Sequence, residues 1–366
     1  MFWVIVTKER ANSASIPSVF YIFNFIKNFP LITIQPFDTT QDGRSVSLVI
    51  LKNPSGMEAH FITYGAILQR LIVPDAGDYT DVVLGYNDLI TYENDTYFMG
   101  QLIGRNANRI AHAEVVLDGK KVALSANEGA NQLHGGFEGF GKKIWNVAEL
   151  DDEVVFSYRS KDGEEGFPGN LLTKMFVKLT DANELIMRLE ATTDQETIVN
   201  LTRHEYFNLN PNSGKGIAEH TLQINGGGIL PKNENNVPTG KVLQVEGTPF
   251  DLQESKVLAG SLSKLDGGFD HNYLLEKYSD EVPAAILAAP GGSPKMEVHC
   301  TQPGLQFYSA AGIDAVPNKY GAIQGPSPAL CLEPQYFPDS PNHPNFPSTV
   351  LRPDAVYRHE IRYKFL

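Results

Sequence analysis

From about residue 37 onward, apolar and polar positions alternate with a period of two in run after run, and the spacing of an amphipathic helix hardly appears. In LLTKMFVKLT, Leu171, Thr173, Met175, Val177 and Leu179 fall on one face, with Lys174 and Lys178 on the other. NELIMRLEATT repeats this, with Leu185, Met187, Leu189 and Ala191 opposite Arg188 and Glu190. Near the C-terminus, VYRHEIRYKF sets Tyr357, His359, Ile361, Tyr363 and Phe365 against Arg358, Glu360, Arg362 and Lys364. Successive side chains of a strand point to opposite faces, so these runs predict antiparallel strands with one buried and one wetter side. Turn clusters such as DGK, KDGEEGFPGN, NPNSGKG and DSPNHPNFP separate them. Many short strands with regular turns predict an all-β fold, a sandwich or barrel with few short helices. With no internal repeat, heptad or linker, residues 37–366 read as a single domain and residues 1–36 as an N-terminal extension of unknown role.

That extension, MFWVIVTKERANSASIPSVFYIFNFIKNFPLI at its start, is aromatic and apolar, interrupted by Lys8, Glu9, Arg10 and Lys27. No part of it reaches the roughly 20 apolar residues of a spanning helix. Its charges follow rather than precede the first apolar run, unlike a secretory signal. It reads as an appendage, either a docking segment or the product of a misplaced start codon. The net charge of -13 repels phosphate backbones and anionic lipid, which argues against nucleic acid as a partner. The two cysteines, Cys300 and Cys331, stand in apolar strand-like runs and form no CxxC pair. Two buried reduced thiols and no convincing signal point to a cytoplasmic protein without a membrane span.

The chemistry-bearing residues collect at predicted strand ends. NLTRHEYFNLNP holds His204, which reads as a packed core histidine, a metal ligand or a proton donor; in isolation such a residue is more often a satisfied core histidine than a catalyst. The zincin pattern HExxH fails there because Asn208 stands where the second histidine belongs, and no other metal-ligand spacing appears among the nine histidines. There is no G-x-S-x-G nucleophile elbow, and GGGIL is not followed by a helical pattern, so acyl-transfer and nucleotide chemistry find no support. What remains is a set of polar groups: Arg105, Asn106, Asn108 and Arg109 in IGRNANRIA, His134 before the paired glycines of LHGG, Asp270 in GGFDHN, Gln306 and Tyr308 in LQFYSA, and Glu333 in ALCLEPQ. Each alone has a plain structural reading as a turn cap, a surface ion pair or a solvated strand end.

Taken in order, the stretches YGAILQRLIVPD, DVVLGYNDLITYEND, IGRNANRIA, LDGKKVALSANEGANQLHGGFEGFGKKIW, DGEEGFPGN, NLTRHEYFNL, FDHNYLL, TQPGLQFYSA and CLEPQYFPD resemble the conserved blocks of the aldose 1-epimerase (galactose mutarotase) family. The resemblance covers nearly everything from residue 37 onward. It implies a large antiparallel β-sandwich of the galactose mutarotase-like type with a carbohydrate cleft on one sheet. It also implies interconversion of the α and β anomers of an aldohexose such as galactose or glucose, with no cofactor. By motif match, His204 occupies the family's general-acid position and Glu333 its general-base position. Asn108, Arg109, His134, Asp270 and Gln306 occupy its sugar-binding positions. Whether the protein is a monomer or a dimer is left open.

The chain departs from the family pattern at three positions. Arg203 and Glu205 flank His204 where small polar residues are usual, and Pro334 follows Glu333 where threonine is common. In an extended strand the two neighbours of His204 point away from its face. Two alternatives are a hexose-6-phosphate 1-epimerase, for which Arg203 and Arg105 are the candidate cations at the cleft rim, and a non-catalytic carbohydrate-binding module on the same fold. A glycosidase pairing Asp270 with Glu333 is a third.

Overall fold

The computed structural model describes residues 31–277, 279, 281–313, 317–319, 321–322 and 327–366. Most of the extension read from the sequence, residues 1–30, lies outside them. The first strand, Leu31–Thr39, already includes residues 31–36 and pairs antiparallel with Ser45–Lys52.

Three sheets make the body. The largest has nine strands, and its centre is formed by the three alternating runs noted above. Leu171–Leu179 pairs with Glu184–Thr193, which pairs with Tyr357–Phe365. The register sets Met175 opposite Leu189 and Val177 opposite Met187 on the buried face, while Lys174 meets Glu190 on the wetter one. A shift by one residue would exchange the two faces, so burial of this apolar set is what specifies the pairing. Arg188 shows how the outer face is finished, with its guanidinium 4.4 Å from the Phe176 ring centroid and 3.2 Å from Glu153.

Against the inner face lie two five-stranded sheets. One is N-terminal, in sequential order from Leu31–Thr39 to Asp78–Asp81. The other, the cleft sheet, runs in the order Leu243–Gln244, Gly228–Ile229, Asp270–Leu274, Gly304–Tyr308, Cys331–Gln335. Phe207 bridges the two by pairing with Val83 on one side and Leu330 on the other. One continuous apolar core fills the space between layers, with Phe61 of the N-terminal sheet meeting Phe156 of the large sheet at 5.6 Å and Phe207 meeting Tyr363 at 5.1 Å. The architecture is the antiparallel sandwich that the alternation predicts, with helix confined to short pieces such as Leu89–Glu93 and Ala259–Leu262. Among the predicted turns, DGK is a two-residue hairpin between Glu114–Leu117 and Lys120–Ala123. Asp118 and Gly119 there take φ of 47° and 71°, the left-handed pair that such a turn demands. Cys300 and Cys331 are buried free thiols. Among the described residues no helix is long and apolar enough to cross a membrane.

Candidate active site

Directly opposed residues of an antiparallel pair share a face, and the cleft sheet uses this to line up its polar groups. Asn272, Gln306 and Glu333 form one row across three strands; Asp270, Tyr308 and Cys331 form the next. The alternate rows, Tyr273–Leu305–Pro334 and His271–Phe307–Leu332, contribute Tyr273, Leu305, Phe307 and Leu332 to the core. Because the strand Cys331–Gln335 is buried on both sides, its sequence shows no alternation even though its two faces do different things. Pro334 costs the sheet a donor, but its carbonyl accepts a 2.6 Å hydrogen bond from the Thr202 hydroxyl.

His204 reaches this face from the neighbouring segment. Thr202–Arg203 pairs with Leu102–Ile103, and His204 continues the ladder through backbone bonds with Gln101 and Gly100, both 3.0 Å. Its imidazole therefore faces the cleft, with Nε2 3.7 Å from Oε1 of Glu333. Its neighbours face the core, as the strand period requires. They are not the surface decoration that charged residues usually are. Arg203 and Glu205 have fully buried side chains and form an ion pair, Nε to Oε1 2.7 Å. Arg203 also donates to the carbonyls of Ala66 and Gly100, and Glu205 accepts from the Tyr363 hydroxyl at 2.7 Å. Arg105 is likewise sealed inside, 2% exposed and donating to the carbonyls of Lys161, Pro168 and Gly169. Neither arginine is at a cleft rim.

Asn108, Arg109 and His134 close a second wall. Asn108 and His134 both take left-handed backbone conformations, φ 60° and 51°, and bind each other. The His134 amide donates to the Asn108 carbonyl at 3.1 Å, and the Asn108 amide donates to His134 Nδ1 at 3.2 Å. That second bond makes Nδ1 the acceptor and assigns the proton to Nε2, so His134 is a fixed donor. Arg109 is oriented by a two-pronged pair with Glu128, both contacts 2.6 Å. On the far side Asp270 accepts from Gln306 Nε2 at 2.6 Å and from Lys232 Nζ at 2.5 Å. All seven sequence-derived candidates, His204, Glu333, Asn108, Arg109, His134, Asp270 and Gln306, thus line one cleft of about 210 Å³.

Burial decides the electrostatics. Desolvation pushes Glu333 well above the ordinary carboxylate value; the nearby negative charges of Asp270 and Glu205 add to this, and Arg109 opposes it. Its Oε2 has no hydrogen-bond partner among the described residues, so no hydrogen bond to that oxygen favours the charged form. The same desolvation lowers His204 to about 4 and takes His134 well below the usual imidazole value, the latter helped by the charges of His204 and Arg109. Asp270 behaves oppositely: burial would raise it, but Lys232, Arg109 and the Gln306 bond bring it below the ordinary value.

Sequence reasoning missed part of the lining. Thr96, Tyr97 and Phe98 line the cleft from the loop after the Leu89–Glu93 helix, and Tyr206 shares its strand face with His204. Phe98 packs on His134 at 4.6 Å, and Tyr206 on His204 at 5.2 Å. The available signal was the pair of aromatics in the loop-like stretch NDTYF. The reading that no histidines share metal-ligand spacing holds along the chain but not in space. His134, His204 and Glu333 bring one ligand atom each within 4.8 Å of one another.

Comparison with known proteins identifies the family and the fold. The family model described as Aldose 1-epimerase matches residues 47–364. The chain is 39% identical over 313 residues to galactose mutarotase of Bos taurus, covering 84% of this chain and 91% of that one. It is 36% identical over 339 residues to aldose 1-epimerase of Escherichia coli strain K12, covering 89% and 96% respectively. Among solved structures, an aldose epimerase homologue from C. elegans superimposes with a TM-score of 0.82 at 29% identity, covering 88% of this chain and 99% of that one. Galactose 1-epimerase from Lactobacillus acidophilus NCFM gives a TM-score of 0.80 at 26% identity, covering 92% and 99%. The fold is galactose mutarotase-like, and the chain belongs to the aldose 1-epimerase family.

Proposed function

We propose that the protein is an aldose 1-epimerase that interconverts the α and β anomers of a neutral aldohexose such as galactose or glucose, with His204 and Glu333 as the proton-transferring pair. The observation that carries this is the 3.7 Å separation of His204 Nε2 and Glu333 Oε1 on the cleft face. The hydroxyl on C1 and the ring oxygen are bonded to the same carbon, so an acid and a base that address both at once must themselves stand close.

Opening the ring breaks the bond between C1 and the ring oxygen and makes C1 a carbonyl. The C1 hydroxyl proton passes to Glu333, and the ring oxygen takes a proton from His204, so neither an alkoxide nor an oxonium builds up. Rotation about C1–C2 presents the other carbonyl face, and the two transfers run backwards. The pair holds one proton before and after. Opening converts imidazolium and carboxylate into neutral imidazole and carboxylic acid, the form that desolvation favours for both groups. The step exchanges only protons and one carbon–oxygen bond, so it calls for no redox partner. Around this pair, His134 Nε2 and Arg109 donate to sugar oxygens, Asp270 accepts from a hydroxyl, and Asn108 and Gln306 supply amides. Tyr97, Phe98 and Tyr308 offer aromatic faces to the apolar side of the ring.

The preference for a neutral sugar rests on the cations. Arg105 and Arg203 are buried away from the cleft, while Arg109 and Lys232 are each paired to a carboxylate. Polarimetry of fresh α-galactose, α-glucose and glucose 6-phosphate tests the reading. Acceleration of the two neutral sugars supports it, and a strong preference for the phosphate overturns it.

A further inference from the structure

Lys232 lies in none of the sequence blocks quoted above, yet its ammonium stands 2.5 Å from the Asp270 carboxylate of the cleft. It stands at the start of the loop PKNENNVPT, which is tied into a compact hairpin. Lys232 bridges Pro238, the Thr239 amide donates to the Pro231 carbonyl at 2.9 Å, and Asn233 Oδ1 accepts from the amides of Asn235 and Val237. The Leu230 amide donates to the Asn272 carbonyl at 3.0 Å, anchoring the hairpin to the strand that carries Asp270. Asn131, in the segment leading to His134, donates to the Asn235 carbonyl at 3.2 Å and ties the loop to the opposite wall. The lysine is therefore built in. Its side chain is 20% exposed, and it lines a narrow recess beside the cleft with Asn108, Asn272 and Gln306.

We propose that Lys232 is a positioning residue for sugar binding, holding the Asp270 carboxylate in one orientation and in its charged form so that it accepts a hydrogen bond from the substrate. This deepens the epimerase reading and rests on it. With Oδ2 committed to Lys232 and Oδ1 to Gln306, the carboxylate cannot rotate, and its remaining lone pairs face the cleft, where a third of the side chain is exposed. Pairing also divides the roles of two carboxylates in one cleft. Asp270 keeps its charge beside Lys232, while Glu333, 3.7 Å from the His204 imidazole, is raised by burial toward the range in which it can both take and return a proton. A freely solvated lysine pair of ordinary surface kind would do neither.

The test is steady-state polarimetry on galactose with wild type, Lys232→Met, Lys232→Gln, Lys232→Arg, Asp270→Asn and the double variant Lys232→Met/Asp270→Asn. Loss of a charged partner on a binding group raises KM roughly ten-fold and leaves kcat within about three-fold, since the interaction is made equally to substrate and transition state. Lys232→Gln follows Lys232→Met, Lys232→Arg recovers most of the loss, and adding Lys232→Met to Asp270→Asn costs nothing more. Unchanged KM in Lys232→Met and Lys232→Gln overturns the proposal. So do effects on KM that add fully to those of Asp270→Asn, which mark a structural role independent of the carboxylate. A wild type that accelerates no aldohexose defeats the epimerase reading instead, so the two failures are distinguishable.

Discussion

Replacing Arg203 by Met separates the support of His204 from its chemistry. The guanidinium sits at zero side-chain exposure, pairs with an equally buried Glu205, and satisfies the carbonyls of Ala66 and Gly100 at 2.7 and 2.9 Å. Methionine fills much of the volume but strands the Glu205 carboxylate with only the Tyr363 hydroxyl, and takes a donor from the carbonyls of Ala66 and Gly100, the second of which still accepts from the Leu68 amide at 3.0 Å. Breaking a buried pair on one side costs about 3–5 kcal/mol, a large fraction of the roughly 5–15 kcal/mol that separates folded from unfolded protein. Scanning calorimetry then finds Tm lower by roughly 4–7 °C, given an unfolding entropy of about 2.1 cal/mol/K per residue. The double replacement Arg203→Met/Glu205→Leu removes both charges and recovers most of that loss, because an apolar pair of similar size pays no desolvation cost. In both variants the folded enzyme at low temperature keeps kcat within about ten-fold, since neither side chain reaches the cleft. An Arg203→Met protein with unchanged Tm would refute this account of the pair, and one with unchanged Tm and no activity would place Arg203 in the chemistry.

Two further predictions follow from the cleft. Because the pair works while holding one proton, kcat/KM is bell-shaped in pH after subtraction of spontaneous mutarotation. It falls on the acid side as His204 protonates near about 4 and on the alkaline side as Glu333 loses its proton above the ordinary carboxylate range. Asp270→Asn draws the alkaline limb down, because it removes the negative charge that, after burial, does most to raise Glu333; a flat or single-limbed wild-type profile contradicts the one-proton pair. Zinc ion titrated into the enzyme raises the apparent KM for galactose by engaging His134, His204 and Glu333, whereas EDTA leaves the rate unchanged. Loss of activity in EDTA, restored by metal, would require a different mechanism.

The centre of the large sheet was readable because its strands there have one dry face, so Leu171–Leu179 and Tyr357–Phe365 print their geometry as alternation. The cleft sheet was not, since Cys331–Gln335 is covered on both faces and its register depends on partners at Gly304–Tyr308. The seven polar candidates were legible as a set through their resemblance to a family, and the structure assembles all of them. Their neighbours were harder. Alternation places Arg203 and Glu205 on the face away from His204, but only the sandwich core reveals that this face is dry. Lys232 and Asp270 are far apart along the chain, and nothing local marks their contact. The nearness of His134 to His204 and Glu333 is of the same kind, a product of loop placement rather than spacing.

The central claim, that His204 and Glu333 transfer the protons, is tested most directly by polarimetry of α-galactose with Glu333→Gln beside wild type, with sugar binding followed by calorimetry. Glutamine keeps the shape of the side chain and cannot take a proton, so the account predicts a fall in kcat of roughly 10²–10⁴-fold with galactose still bound. A Glu333→Gln enzyme that turns over galactose at the wild-type rate would contradict it.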